Sequence, residues 1–375
     1  MPLTNYKLGD LIEQNSVACG ISNLTANEVS GVNRDKEFFE PTKQVGSDTS
    51  NYQIVEPKHF ACNLMHVGRD CLLPVAQNCT SKNKYVSPAY SVFKLKEDVP
   101  LLSTYFLMAL KSTEKDRYFW FHADGSIRDG MSWDDFCNTS LSLPPLPIQQ
   151  KYVDVYTSLV QNAKAFEAGA EDLKLVCDGF IDKLKHSAKK QAFGELLQLE
   201  DNRNVNNEIK EIKGINIDKV FMPTVADTSG LNYSNYKVVQ HGQFAFSGMQ
   251  TGRDKCIRFA LQNSEVPIII SPAYTVFSIK DKNVVPEYIM MWFSREEIDR
   301  EGWFRSDSSV RSNLDLDRFY EMEIPIPPLE TQKSIVNIFN AMNSRKKMAE
   351  ELRQKIKEIC PVLIKGSIDE GKAAD

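Results

Sequence analysis

The sequence predicts an α+β protein in which two β-rich domains are separated by two long antiparallel coiled-coil helices, as an internal pseudo-two-fold repeat. Three observations predict this fold. A long stretch of sequence occurs twice in register, each copy contains short β-type runs, and each copy ends in an apolar heptad pattern. The 375 residues, 42% of them hydrophobic, are too many for one ordinary domain and ample for two cores.

The repeat is anchored by two nearly identical runs, "VSPAYSVF" at 86–93 and "ISPAYTVF" at 270–277, which set an offset of 184 residues. In the same register "NYQIVEPKHFACNLMHVGRD" (51–70) matches "NYKVVQHGQFAFSGMQTGRD" (235–254). So many matches in one register indicate a duplication.

The two matching runs themselves predict a framework strand in each copy. "YSVFKL" and "YTVFSI" alternate and are rich in aromatic and β-branched residues, which is typical of strands. Pro88 and Pro272 stand just before them, where a missing backbone N–H is tolerated. We expect Tyr90 and Tyr274 to be core or strand-edge aromatics.

Each β-rich part ends at a Pro-Pro element, "LPPLPIQQK" (143–151) or "IPPLETQK" (326–333), and apolar heptads follow. Such a stripe over several heptads predicts a coiled coil, and the prolines mark its start. Roughly 36 residues would make a rod of roughly 55 Å, too long to be buried in one small domain. The seam residues are Tyr152, Leu159, Phe166, Leu173 and Phe180 with Tyr156, Ala163, Ala170, Cys177 and Leu184, and Ile335, Met342, Ala349, Ile356 and Leu363 with Ile338, Leu352 and Ile359, interrupted by Arg345.

These signals predict the domain boundaries. The segments are a first β-rich domain at 1–143, a first helix at 144–187, a second β-rich domain at 188–326, a second helix at 327–366 and a tail at 367–375.

Composition excludes several classes of protein. The chain has no apolar run of about 18 residues and no signal-peptide pattern at its N-terminus, so we expect a cytoplasmic protein without a membrane partner. The cysteines and histidines form no closely spaced ligand set, so we expect no metal. A net charge of −5 argues against binding nucleic acid by bulk charge alone, but it allows a basic groove or a basic surface completed by a partner.

The Ser-Pro-Ala-Tyr run also raises the possibility of an enzyme, because it is one residue away from the base-holding loop of adenine methyltransferases. That loop needs Pro-Pro, which is Pro-Ala in both copies, and a glycine-rich loop for the methyl donor is missing. A fused enzyme is therefore disfavoured, and we expect no catalytic residues in this chain.

The sequence resembles the specificity (S) subunits of type I restriction-modification systems over nearly its whole length. The resemblance rests on the two Pro-Pro helix starts, on Met-x-x-Gly-Arg followed by Ser-Pro-x-Tyr, and on an Arg followed by an acidic-aromatic pair, as in "IRDGMSWDDF". In the family the helix start often ends in Glu-Gln, whereas here it ends in Gln149-Gln150 and Thr331-Gln332.

This resemblance implies two target-recognition domains, each of which reads one half of a split site in double-stranded DNA. It implies a non-catalytic subunit without a cofactor of its own. Two modification (M) subunits would supply adenine-N6 methylation with S-adenosylmethionine, and two restriction (R) subunits would supply translocation and cleavage with ATP and Mg. The rival interpretation is a structural scaffold that joins protein partners through its helices without reading DNA.

Four arginines at matching positions are candidates for DNA contact: Arg69, Arg253, Arg128 and Arg311. Because they are the same in both copies, they fit phosphate contact or scaffolding better than base reading. For Arg69 and Arg253 the alternative is a salt bridge with the aspartate that follows each of them.

Base-reading residues should lie where the copies diverge, as at "HADG" (122–125) against "RSDS" (305–308), and "NCTSKNK" (78–84) against "QNSEV" (262–266). Donor side chains there could match base edges in the major groove. Each could equally be a solvated charge, or for the histidine a packed, hydrogen-bonded side chain. The candidates are Lys82, Lys84, Arg305, His66 and Gln250.

Apolar residues beside the seam widen the helical stripe beyond what one partner helix buries, which predicts further helices docking on it. We expect these helices to come from the M subunits. The residues are Val153, Val160, Ile181, Val336 and Phe339. Since the two domains share a frame and differ in their loops, we expect an asymmetric bipartite target with half-sites about one helical turn, roughly 10 bp, apart.

Overall fold

The computed structural model describes residues 3–41, 45–124, 130–224, 232–307 and 312–373, and it divides into two compact units. The first unit comprises Met1–Phe166 and Lys347–Asp375, and the second comprises Glu167–Lys346. Each unit therefore contains one copy of the repeat together with one end of each long helix.

The first copy begins with a strand and ends where the first long helix starts. Its elements in chain order are β1 (Thr4–Lys7), α1 (Leu8–Leu11), β2 (Ile12–Gln14), β3 (Gly31–Val32), β4 (Phe38–Phe39), β5 (Gln53–Val55), β6 (Phe60–Cys62), a 3₁₀ turn (Leu64–His66), α2 (Val67–Asp70), β7 (Val75–Gln77), β8 (Lys84–Val86), β9 (Ser91–Leu95), α3 (Ser103–Leu110), α4 (Thr113–Phe121), α5 (Trp133–Asn138), β10 (Ser140–Leu143) and the long helix α6 (Leu146–Ser187).

The second copy repeats this order almost element for element. Its elements are β11 (Lys190–Ala192), α7 (Phe193–Leu196), β12 (Leu197–Glu200), β13 (Lys213–Ile215), β14 (Phe221–Pro223), β15 (Lys237–Val239), β16 (Phe244–Ser247), α8 (Thr251–Asp254), β17 (Arg258–Leu261), β18 (Ile268–Ile270), β19 (Thr275–Ile279), α9 (Pro286–Phe293), α10 (Glu296–Arg305), α11 (Leu316–Tyr320), β20 (Glu323–Pro325) and the long helix α12 (Leu329–Ala373).

Both copies share one sheet topology. The antiparallel four-stranded sheets have the orders β2-β9-β6-β7 and β12-β19-β16-β17. Phe60 pairs with Phe93 in the first sheet, and Phe244 pairs with Phe277 in the second. The two-stranded pairs β1–β10, β3–β4 and β5–β8 recur as β11–β20, β13–β14 and β15–β18. The predicted internal repeat and the α+β fold class are confirmed.

Aromatic side chains form the centre of each core, between the four-stranded sheet and the helices that follow it. In the first unit the rings of Phe60 and Phe93 stack at 5.2 Å, and Phe106 of α3 packs edge-on against Phe60 at 5.4 Å. In the second unit Phe259 and Phe293 lie 4.1 Å apart. Such pairs add about 0.5–1.5 kcal/mol beyond the area they bury.

The strands predicted from the two Ser-Pro-Ala-Tyr runs are present as β9 and β19. Tyr90 is half-buried against the first unit's smaller cluster, and its hydroxyl accepts a hydrogen bond from the backbone N–H of Val32 at 3.0 Å. Tyr274 packs against the corresponding cluster of the second unit. Both tyrosines therefore serve the framework, as expected.

The two long helices have 42 and 45 residues and pack antiparallel, as predicted. In the first unit the start of α6 meets the end of α12, where Lys151 Nζ lies 2.7 Å from Glu370 Oε2. In the second unit Gly169 of α6 leaves room for the side chain of Arg345, the polar residue that interrupts the heptad pattern. One row of the predicted seam is buried along all of α6: Tyr156, Ala163, Ala170, Cys177 and Leu184.

The C-terminal end of α12 differs from the prediction. The helix continues to Ala373, past the predicted end at residue 366, so residues 367–373 belong to the helix and do not form a tail. Ser367 is fully buried and shares a 2.7 Å hydrogen bond with the hydroxyl of Tyr105, while Gly366 lies against the ring of Tyr152. These small residues are in the helix because tertiary contacts hold them there, which heptad spacing does not reveal.

A buried glutamine fixes the start of each long helix. The side chain of Gln149 donates to the carbonyls of Pro100 and Pro144 at 2.8 Å and accepts from the N–H of Leu102 at 3.0 Å. Gln332 makes three equivalent bonds in the second unit at 2.8–2.9 Å. All its polar atoms are thereby satisfied, which is what burial of an amide requires.

Gln149 and Gln332 are therefore structurally equivalent, which corrects the comparison of Gln149-Gln150 with Thr331-Gln332. The residues that stand where the family often has glutamate are therefore Ile148 and Thr331. Each of them directly precedes the buried glutamine of its copy.

Candidate nucleic-acid interface

The two Gly-Arg-Asp runs form short matching helices, α2 and α8, a few residues after a central strand of each sheet. Each helix ends at a residue in the left-handed conformation, Cys71 (φ 55°) in one copy and Lys255 (φ 51°) in the other. In the second unit Gly252 packs so closely against Ser312 that a Cβ would collide with it. The glycine is required there for packing within the unit.

The arginines of these runs make the ion pairs that stood as the alternative to DNA contact, and they remain largely exposed. Arg69 Nε lies 3.1 Å from Asp70 Oδ1, and Arg253 Nε lies 2.9 Å from Asp254 Oδ1. The side chains are nevertheless 64% and 60% exposed. The hydrogen bond from Arg253, aided by a second arginine, holds the pKa of the Asp254 carboxyl below its usual value. The ion pair orients each guanidinium without covering it, so phosphate contact is possible at both places.

Replacing Arg69 or Arg253 by Ala tests which interpretation holds. If the arginines contact phosphate, each change should weaken binding to all sequences alike and reduce the salt slope by about 1. The melting temperature should change little, because an exposed ion pair contributes about 0–1 kcal/mol. Lys333→Ala is the matched control, since Lys333 is also exposed and paired, at 3.1 Å from Glu330 at the start of α12. An unchanged salt slope with a clearly lower melting temperature would show a structural role instead.

The candidates near these helices come together with the arginines. His66 is the last residue of the 3₁₀ turn that leads into α2. Gln250 occupies the equivalent place before α8, and its Oε1 accepts from Arg253 Nη2 at 2.6 Å. A half-exposed side chain that differs between the copies thus stands three residues before each arginine.

The remaining candidates lie in other settings. Lys82 is exposed on the loop between β7 and β8, and that loop is shaped by Asn78, whose Nδ2 donates to the Lys82 carbonyl at 2.8 Å. Lys84 Nζ lies 5.3 Å from the ring centre of Phe38. Arg305 makes ion pairs of 2.9 Å and 3.4 Å with two glutamates of its own unit. Arg128 and Arg311 lie outside the residues that the structure describes, and their DNA contact stays a prediction.

A buried Lys–Asp pair in each unit supports this region, and the sequence analysis missed it. In the first unit Lys36 Nζ donates to Asp116 Oδ1 at 2.6 Å and to the Leu110 carbonyl at 2.5 Å. Asp116 Oδ1 also accepts from the N–H of Leu73 at 3.0 Å. Burial lowers the pKa of the Lys36 ammonium, and the attraction of Asp116 opposes that shift. The pair ties the β3–β4 hairpin, α3, α4 and the loop after α2 into one rigid frame.

The second unit repeats the pair. Lys219 Nζ donates to both carboxylate oxygens of Asp299 at 2.7 and 2.8 Å and to the carbonyl of Phe293, and Asp299 accepts from the N–H of Ile257 at 2.9 Å. A signal for these residues was present in the sequence. An Asp-Lys at 35–36 and 218–219 and an Asp-Arg at 116–117 and 299–300 recur at an offset of 183.

Exposed aromatic side chains were also missed. The Trp-Phe pair at 120–121 ends α4, and the Trp-Phe pair at 303–304 lies near the end of α10. Within the described residues, Phe121 at 82% and Phe304 at 87% are the most exposed large hydrophobic side chains. Their identical position in the two copies was visible in the sequence.

The five residues predicted to bind a partner lie elsewhere than expected. Val153, Ile181 and Val336 are buried in the cores of their own units, and Val160 and Phe339 pack against those cores. The stripe is wide because each helix end packs both on the other helix and on its own domain. These five residues therefore do not form the exposed surface that the prediction required. In the described parts of the long helices, the exposed large apolar residues are Leu146, Val155, Leu175, Val176 and Phe180 on α6 and Met348 and Val362 on α12.

The described parts of the chain contain no group of three or more His, Cys, Asp or Glu side chains that could hold a metal ion. No helix in those parts is long and apolar enough to cross a membrane.

A known protein family matches the second copy of the repeat. Residues 189–358, the second copy with part of α12, match the family model for the type I restriction modification DNA specificity domain. No curated protein matches the chain.

Solved structures match over nearly the whole chain. The type I restriction-modification S subunit from M. genitalium is 12% identical, with 97% of this chain and 96% of that chain covered and a TM-score of 0.61. A chain from work on complex assembly and conformational transition of the type I R-M system is also 12% identical, with 98% and 97% covered and a TM-score of 0.51. At such identities the similarity shows the fold.

The second of the two repeated α+β units thus carries the matched DNA specificity domain, and both units share its topology. The predicted resemblance is confirmed: residues 189–358 match the DNA specificity domain of type I restriction-modification systems, and the chain has the fold of solved S subunits. The fold and the matched domain support a role in DNA-sequence recognition, and specificity subunits of this family are generally non-catalytic.

Proposed function

We propose that the chain reads an asymmetric bipartite site in double-stranded DNA, with one half-site for each unit. The observation that supports this most directly is that both units share the same supporting structure while the side chains next to it differ. The buried Lys–Asp pair and the Gly-Arg-Asp helix are the same in both units. The residues beside them differ, as with His66 against Gln250. A shared frame positions both units on the DNA, and differing side chains select different bases.

We further propose that this chain directs adenine-N6 methylation and restriction by other subunits. Two M subunits would bring S-adenosylmethionine, two R subunits would bring ATP and Mg, and this chain would bring no cofactor. The exposed apolar residues of α6, among them Leu175, Val176 and Phe180, replace the buried valines and isoleucine as the surface on which we expect an M subunit to dock. Mass measurement of the purified complex should give one S to two M, and a saturated one-to-one complex would contradict this.

A binding competition tests the proposed function. The chain, alone and together with its M partner, is titrated onto labelled duplexes while unlabelled duplexes of unrelated sequence compete. A specific reader should prefer its own site by roughly 10³-fold or more at fixed salt. Binding without any sequence preference, combined with stable assembly of the partners, would favour the scaffold interpretation.

A further inference from the structure

We propose that the Trp-Phe pairs at 120–121 and 303–304 contact the DNA at both half-sites whatever the sequence, by stacking on bases or inserting between them. This inference rests on the proposed DNA-reading function. It assigns a role to the aromatic side chains that neither core nor helix pairing uses.

The exposure of these side chains is the first observation. Phe121 and Phe304 expose 82% and 87% of their surface, and the tryptophan before each of them is about half-exposed. Each unit thus exposes two adjacent large apolar side chains to water, at the same place in the fold. A surface of this kind marks a contact with another molecule.

A cationic side chain lies over a ring of the second pair. Lys255 Nζ, at the end of α8, lies 4.9 Å from the ring centre of Trp303. The same short helix carries the exposed Arg253, and α8 packs against α10, where Gly302 lies beside Thr251. Aromatic side chains with flanking cations suit a nucleic acid, whose bases offer π-faces and whose phosphates offer negative charge.

The first pair has a comparable setting. Trp120 and Phe121 line a groove together with Arg117, Tyr118, Thr113 and Glu114. Helix α2, which carries the exposed Arg69, packs against α4. Lys115 Nζ lies 5.3 Å from the ring centre of Tyr118 on the same helix. Among the described residues that line this groove, Glu114 is the one acidic side chain.

The aromatic pairs stand on a rigid support. Asp116 and Asp299 lie about one turn before them on α4 and α10, and each aspartate is held by its buried lysine. Such a support lowers the entropy that must be lost when the aromatic side chains are fixed in a complex.

The flanking residues differ although the pairs are the same. The rings of Tyr118 and His122, beside the first pair, lie 4.2 Å apart and are tilted, while Glu301 and Arg305 form a 2.9 Å ion pair beside the second. A feature common to both units cannot distinguish two different half-sites, so it must contact what both half-sites share. Stacking is tolerant of sequence, because every base has a π-face.

Insertion of an aromatic side chain would also serve the chemistry of the complex. Methylating an adenine in a duplex requires the base to leave the stack, which costs a few kcal/mol. Apolar wedges that unstack a base step and kink the duplex are a known way of deforming DNA. One wedge at each half-site would lower the penalty of extruding both target adenines.

The test replaces the two phenylalanines while keeping apolar volume. The variants are Phe121→Leu, Phe304→Leu and their combination, with Phe→Trp at both positions to retain a ring and Val205→Ala, at an exposed apolar residue of the second copy, as the control. Each is purified with its M partner. Affinity is measured on the duplex that the wild-type complex methylates and on an unrelated duplex, and 2-aminopurine at the target adenine reports unstacking.

We expect each Leu variant to weaken binding to both duplexes by about fivefold to a hundredfold, and to reduce the 2-aminopurine signal. The Trp variants and Val205→Ala should behave like the wild type, and the mass of the complex should not change. Unchanged affinity and signal would overturn the proposal, as would a Leu variant that loses M subunits while its DNA affinity persists, because the pairs would then dock protein. A wild-type complex without sequence preference would instead refute the proposed function.

Discussion

Shortening the chain after Glu358 is expected to unfold the first unit and to leave the second unit folded. The removed segment supplies Cys360, Leu363 and Ser367, all buried in the first unit's interior. The second unit ends at Lys346 and has no residue in that segment. Hydrogen exchange should therefore show loss of protection in β6 and β9 with protection retained in β16 and β19.

The loss of stability on truncation can be gauged from the side chains that are buried. Each large apolar side chain contributes about 1.5–3 kcal/mol when buried. The truncation also removes the hydrogen bond between Tyr105 and Ser367 and the pairing of Lys151 with Glu370. Together these losses approach the net stability of a typical domain, about 5–15 kcal/mol.

Two neighbouring residues of α12 provide a matched pair of point variants. Leu363 is 9% exposed and Val362 is 64% exposed. Leu363→Ala should lower the free energy of unfolding by about 2–5 kcal/mol, and Val362→Ala should change it by about 0.5 kcal/mol or less. Equal effects, or a truncated chain with full protection in β6, would show that the end of α12 is not part of the first unit's core.

The second large effect is expected from Lys219→Met. The change leaves the carboxylate of Asp299 mostly buried without its cation, which typically costs about 3–5 kcal/mol. Because Asp299 also holds the N–H of Ile257, α10 should lose its fixed position on the loop after α8. We therefore expect a lower melting temperature together with weaker DNA binding.

The contribution of the unpaired charge can be separated from that of lost packing. Lys219→Met with Asp299→Asn removes the charge and keeps an acceptor for Ile257, so it should recover part of the stability. Lys213→Met is the control, since Lys213 lies 2.8 Å from Glu211, which is half-exposed. That pair should contribute about 0–1 kcal/mol. If Lys219→Met were as mild as the control, the buried pair would not hold the frame.

Much of the fold was predictable because it repeats. Identical residues at an offset of 183 or 184 revealed the duplication, and alternation around Phe93 and Phe277 revealed the central strands. The helix starts were marked by prolines. The end of α12 was not predictable in this way, because serine and glycine have low helix propensity. Ser367 and Gly366 lie in the helix because they contact Tyr105 and Tyr152.

The site was predictable in part. The sequence picked out the Gly-Arg-Asp runs, which form matching short helices with an exposed arginine in each unit, and their DNA contact stays a prediction. The structure places Val153 and Ile181 in the cores of their own units. Heptad spacing shows that these residues are apolar and does not show which surface covers them. The buried lysines were missed because a lysine is expected in solvent unless a partner is known. A comparison of the copies residue by residue would have paired Lys36 with Lys219.

Mapping of N6-methyladenine by long-read sequencing, in cells that carry this chain with its M partner, tests the central claim most directly. The map should be compared with that of a chain whose first domain, up to about Leu141, comes from a relative. Because the end of α12 belongs to the same unit as that domain, residues 347–373 should be replaced together with it by the corresponding segment of the same relative. We predict two short, different specified blocks around a non-specific spacer, with only one block altered by the exchange. One continuous palindrome, or an exchange that alters both blocks, would contradict recognition by two separate units.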